Sequence, residues 1–185
     1  NSKAVLVSDS GVILGRGSAP VGIEHPQPGW VEQSPLRIWA SVQEAIAACL
    51  AQMPAVQILG IAISNQRESV TIWDADDGQP LGPVVSWQDA RTASWCAELA
   101  AGELGEVVPA TTGLTLDPMF SALKLCWLLD EIDPDRSRAS SGDWCMGTID
   151  AYIVARLGGE QVVEAGLAAE EGRGHPVHVP GGRDR

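Results

Sequence analysis

The chain has 185 residues and a formal net charge of −12, from 12 Lys and Arg against 24 Asp and Glu. That length suits one ordinary domain, and that charge lacks the basic footprint which phosphate-backbone binding needs, arguing against a nucleic-acid partner. Hydrophobic residues make up 45% of the chain, enough for a core; no apolar run approaches the roughly 20 residues of a membrane span. Asn1-Ser2-Lys3-Ala4-Val5-Leu6-Val7 carries no secretory pattern, so the expectation is a cytoplasmic protein with no membrane partner.

Ala4 to Val7 and Val12 to Leu14 are apolar runs separated by the turn residues Asp9-Ser10-Gly11, which predicts a β-hairpin. His25-Pro26-Gln27-Pro28-Gly29-Trp30 is expected to be an ordered loop, since two prolines remove ladder donors. Ser34-Pro35 then reads as N-cap and first helical residue, and Ile38, Trp39, Val42, Ile46, Cys49, Leu50 and Met53 follow at helical spacing. Ile58 to Ile63 is a nearly unbroken apolar run, as in a central parallel strand covered on both faces. Val70 to Trp73 and Val84 to Trp87 read as two further strands around the turn Asp76-Asp77-Gly78-Gln79-Pro80.

Asp89 or Thr92 is placed to cap a helix through Trp95, Cys96 and Leu99. Asp117-Pro118 is placed to open a second, carrying Phe120, Leu123, Trp127 and Leu128, and Thr148 a last one, stopped by Gly158-Gly159. Strands and helices in this order predict an α/β fold with a mixed sheet. From Glu160 to Arg185 little remains to bury, so a mobile tail is expected; its His175 and His178 lack the third ligand of a metal site. Cys49, Cys96, Cys126 and Cys145 form no C-x-x-C pair and read as reduced core thiols.

The segment with most chemistry is Ser64-Asn65-Gln66-Arg67-Glu68-Ser69, because ligands of open α/β sheets bind beyond the carboxyl ends of strands. Adjacent Arg67 and Glu68 address one ligand only where the extended geometry breaks. There the guanidinium donates to hydroxyl oxygens and the carboxylate accepts their protons, which suits a small polyol. Surface ion pairing at a turn is the competing reading. Trp87 fits either an aromatic wall for a ligand's carbon face or a core position. Trp39, Trp95 and Trp127 fall on apolar helix faces and read as core, although seven tryptophans also suit a carbohydrate-stacking module. No Gly-rich phosphate loop, catalytic Ser/His pair or cluster of metal carboxylates is visible.

Five motifs in one order, His25 to Gln33, Ser64 to Glu68, Trp87 to Thr92, Thr112 to Pro118 and Gly147 to Asp150, resemble the N-terminal domain of the FGGY-type carbohydrate kinases, glycerol kinase most closely. The resemblance covers residues 1–159 and leaves 160–185 unmatched. It implies a ribonuclease-H-like, actin-type ATPase fold, a mixed sheet with flanking helices. In that fold a polyol or sugar held between two such domains receives the γ-phosphate of ATP, with Mg²⁺ as the metal. It implies that Arg67 and Glu68 bind the polyol hydroxyls, that Trp87 lines their pocket, and that Lys3 matches a phosphate-contacting position.

Met119 stands where glycerol kinases usually carry a tyrosine that bonds the substrate, so the expected substrates extend to related polyols and ketoses such as a pentulose. The family's Asp-x-Gly-Thr-Thr/Ser loop and its catalytic Asp have no match in this sequence, so no catalytic residue and no metal ligand is expected within it. The alternative expectation is an inactive fragment with at most weak polyol binding. Loss of the family's first strand would expose an apolar sheet edge, so self-association into a homo-oligomer is expected.

Overall fold

A computed structural model describes residues 1–158. The predicted tail, with His175 and His178, lies outside the described residues. The expected hairpin is present: β1 (Ser2–Val7) pairs antiparallel with β2 (Ile13–Ala19), Ser2 opposite Ala19 and Leu6 opposite Gly15. Its turn closes through the Gly11 N–H donating to Ser8 O at 3.0 Å, with Gly11 at φ +82°, a conformation glycine adopts without a Cβ penalty.

The helix α1 (Pro35–Leu50) begins as predicted: Pro35 is its first residue and Ser34 Oγ accepts from the Arg37 N–H at 3.3 Å. It lies directly on the hairpin. A Cβ added at Gly17 would come within 1.9 Å of the Ala45 carbonyl oxygen, so strand and helix backbones meet where no side chain fits between them.

A second sheet has the order β3-β5-β4-β6, from β3 (Glu32–Gln33), β4 (Val70–Asp74), β5 (Val84–Val85) and β6 (Trp144–Thr148). Neighbouring residues of a strand point to opposite faces, and Val84 and Val85 divide accordingly. Val84 packs with Ile38 of α1 and with Ile149 and Ile153 of α6 (Ile149–Gly158). Val85 joins Val70, Ile72 and Leu128 of α4 (Ser121–Ile132). On the α6 side Trp73 meets Tyr152 edge-on at 5.5 Å. Helices thus cover both faces of this sheet, the layered arrangement of an α/β domain.

Several expectations are corrected. Residues 58–63 form no strand, and Ile58, Leu59 and Ile61 are exposed. A strand is defined by a partner that accepts its N–H and C=O groups, and here a cavity of about 800 Å³ separates this segment from β1. Every strand pairing among the described residues is consequently antiparallel. Thr92, one of the two candidates, is the N-cap residue of α2 (Ala93–Ala100), but without a side-chain hydrogen bond to the helix, and the Asp89 carboxylate is engaged elsewhere. Asp117 caps a turn instead, its Oδ1 accepting from the Met119 N–H at 2.8 Å, and α4 starts four residues later, at Ser121.

The helices α3 (Leu104–Thr112) and α5 (Ser137–Ser141) and the strand β6 were not expected. All four cysteines are free as predicted, but only Cys49 and Cys96 are buried, and Cys126 is exposed. Trp39, Trp95 and Trp127 are half-buried on their helices rather than fully in the core.

Candidate functional site

The segment 65–68 is held by side chains in place of a ladder. Asn65 Nδ2 donates to Asp150 Oδ1 at 3.1 Å, and the same oxygen accepts from Thr148 Oγ1 at 2.5 Å. Gln66 Nε2 donates to Gln33 Oε1 at 2.5 Å. The segment is thereby tied to β3 and to the start of α6, and the motif residues from Gly147 to Asp150 acquire a structural task.

At Glu68 the extended geometry breaks, as adjacent use of Arg67 and Glu68 requires: φ is +61°. That conformation is disfavoured for a residue with a Cβ and persists only where the surroundings impose it. The imposing groups lie at the start of α4. Glu68 Oε2 accepts from the Ser121 N–H at 3.0 Å and from Ser121 Oγ at 2.6 Å, and a helix N-terminus favours a carboxylate. Both bonds fall on one carboxylate oxygen.

Three segments converge beneath Glu68 on the Lys124 ammonium. It donates to Glu68 O at 2.5 Å, to Ser86 O at 3.3 Å and to Met119 O. Lys124 is completely buried, and burial pushes its pKa down to about 8 against the attraction of Glu68, Asp89 and Asp117. Trp87 follows Ser86, and its N–H donates to Ser69 Oγ at 3.0 Å. Its indole is 43% exposed and Met119 is 36% exposed, so Trp87 is a surface residue and not a core one. Glu68, Trp87 and Met119 are therefore brought to one place, with Arg67 exposed beside Glu68 in the chain. Lys3 is separate in the fold: it is an exposed residue of β1, opposite Ser18, at the lining of the cavity.

A second cluster supports the first from the side. Arg91 forks onto Asp89, Nε to Oδ1 at 2.9 Å and Nη2 to Oδ2 at 2.8 Å, while Nη2 also reaches Glu32 Oε1 at 2.7 Å. Its guanidinium packs against both Trp30 and Trp127, 3.9 and 4.2 Å from their ring centroids, and the two rings meet each other edge-on at 5.1 Å. Burial opposes the charge, but the bonds to Asp89 and Glu32 outweigh it and hold the Arg91 pKa above its ordinary value. Arg91 is a fully covered side chain. Its partner Glu32 lies 59 residues away, beyond the reach of local pattern.

Among the described residues no three of His, Cys, Asp and Glu cluster as metal ligands. No helix among them is long and apolar enough to cross a membrane.

The fold has close counterparts among solved structures. Plasmodium falciparum glycerol kinase with ADP superposes with a TM-score of 0.76 at 25% identity, over 85% of this chain and 32% of that one. A xylulose kinase from Rhodospirillum rubrum gives 0.75 at 27% identity, over 92% and 34%. An apulose kinase from Pectobacterium atrosepticum is 41% identical over 153 residues, 83% of this chain and 31% of its own length. A glycerol kinase from Citrifermentans bemidjiense is 43% identical over 163 residues, 86% and 32%. The chain thus spans about a third of the curated relatives it matches.

The layered α/β sheet, with polar groups gathered before β4 and after β5, defines an actin-type ATPase domain of the sugar-kinase class. Residues 1–173 match the N-terminal domain of the FGGY family of carbohydrate kinases, and the chain belongs to that family.

Proposed function

We propose that this domain binds the hydroxyls of glycerol or a related small polyol or ketose, as the substrate-holding part of a kinase that transfers the γ-phosphate of ATP to one of them. The observation that carries the reading is the Glu68 carboxylate, held at the break of the chain by two bonds from Ser121 to a single oxygen. That leaves Oε1 to accept from a ligand hydroxyl, while the adjacent Arg67 donates to hydroxyl oxygens and Trp87 covers the carbon face. Met119 brings a thioether in place of a phenol, so this wall of the site makes van der Waals contact and gives no strong hydrogen bond. The substrate is accordingly held mainly from the Arg67 and Glu68 side, which admits ketoses as well as glycerol.

Lys3, exposed on β1, is the proposed contact to phosphate. ATP supplies the phosphoryl group, and the transfer needs a base and a metal ion, neither of which this reading assigns to residues 1–158. Turnover is therefore proposed for a protein in which this domain works with the remainder of a kinase of the relatives' length. The chain on its own is proposed to bind polyol weakly and to catalyse nothing.

The test is calorimetric titration of the chain with glycerol and with xylulose, beside an ATP-coupled assay of the whole kinase. Arg67→Ala and Glu68→Ala are expected to abolish measurable binding, and Arg67→Ala to remove most of the activity. Wild-type rates in Arg67→Ala would overturn the assignment.

A further inference from the structure

Lysine is among the residues least often buried completely, yet Lys124 has no solvent exposure. Its ammonium donates to three main-chain carbonyls and to no carboxylate: Glu68 O, Ser86 O and Met119 O. The count is complete, because an ammonium carries three donors. A charge taken out of water is strongly disfavoured unless every donor is used.

The three carbonyls are far apart in sequence and close to the candidate site in space. Two belong to site residues, Glu68 and Met119, and the third belongs to Ser86, which precedes Trp87. The strands themselves join only two of these segments, through the pairing of Val70 with Val85. The loop before α4 is outside that ladder. Among the described residues Lys124 is the one side chain that bonds to all three segments. The Ser121 bonds to the Glu68 carboxylate come from the same end of α4, so one helical turn fixes both the main chain and the side chain of Glu68.

We propose that Lys124 is a positioning residue: it locks residues 68, 87 and 119 into one arrangement and so sets the affinity of the site, a role that rests on the reading of that site as the hydroxyl-binding one. Lys124 touches no substrate in this assignment. It acts through the carbonyls it holds. Removing its donors leaves three buried acceptors without partners, and the three segments then move independently.

The experiment is amide hydrogen exchange on the full 185-residue chain, wild type against Lys124→Met and Lys124→Gln, with glycerol binding titrated on the same samples. In Lys124→Met, exchange at residues 66–70, 86–88 and 118–121 is expected to speed up together by about tenfold or more, with the β1–β2 hairpin unchanged. The glutamine amide, which restores two donors, is expected to recover part of the protection and part of the affinity. Unchanged exchange at the three segments, or loss of protection spread evenly over the chain in both variants, overturns the positioning role. Absence of glycerol binding by the wild type instead overturns the reading of the site, while the exchange pattern still decides the role of Lys124.

Discussion

The Asp89 carboxylate accepts a hydrogen bond from the Val31 N–H at 2.6 Å, across 58 residues of chain. Asp89 is also the fork on which Arg91 rests, so one buried carboxylate ties the loop before β3 to the segment after β5. Arg91→Ala is expected to lower stability by about 3 kcal/mol, since it strands a buried carboxylate. Arg91→Lys should recover little, because an ammonium neither forks onto Asp89 nor presents a planar face to the indoles. Urea unfolding midpoints measure both; a lysine variant as stable as the wild type would contradict the role given to the planar fork.

The strain at Glu68 is separable from its chemistry. Glu68→Ala and Glu68→Gly both lose the bonds to Ser121, but only alanine keeps a Cβ at φ +61°. The glycine variant is expected to be the more stable of the two by about 1 kcal/mol. Equal stabilities would show that the backbone there relaxes once the carboxylate is gone.

The depressed pKa of Lys124 gives a pH dependence with a definite sign. The native pKa is about 8, below the ordinary 10.5. Between those values the unfolded chain keeps a proton that the native chain has released. The unfolded state then binds more protons, and stability rises with pH through that window. Below about pH 8 both states are charged and this contribution is flat. Subtracting the profile of Lys124→Met isolates this contribution from the groups common to both chains. The stability of the wild type relative to that variant is expected to climb from pH 8 to 10.5, and a flat difference would reject the shift.

Leu59 is 87% exposed and Ile61 65% exposed, opposite a strand edge across the cavity. Apolar side chains beside unpaired backbone groups favour association with another chain. The chain is expected to sediment as a concentration-dependent oligomer, and Leu59→Glu to shift it toward monomer without loss of helical signal. A wild type that remains monomeric at high concentration would remove this expectation.

The parts of the fold that were legible in the sequence are those whose cause is local. Ser34-Pro35 and the helical spacing from Ile38 to Leu50 specify α1, and Asp9-Ser10-Gly11 specifies the hairpin turn. Residues 58–63 have the composition of a buried strand, but a strand depends on partners, which local pattern does not supply. Trp144-Cys-Met-Gly-Thr148 lacks the β-branched run that marks a strand and forms one because β4 offers it a ladder from Val70 to Asp74. In α3, Gly105 and Pro109 hid the helix, Pro109 lying inside it.

At the site, Trp87 stood out through its place after β5, and Arg67 and Glu68 as an adjacent cation and carboxylate after an apolar run that forms no strand, whereas Lys124 did not, since a lone lysine reads as surface. A signal was nevertheless present: Lys124 lies four residues before Leu128 and three after Ser121, on the buried stripe of α4.

The contrast between the tryptophans has an optical consequence. Trp30 and Trp127 share a cation packed against both, and Trp73 is buried against Tyr152, whereas Trp87 stands 43% open. A ligand seated over that indole shields it from water while the clamped and buried indoles keep their surroundings. On the proposed reading of the site, the emission colour of the unlabelled chain is expected to report occupancy, with Trp87→Phe as the blank that silences it.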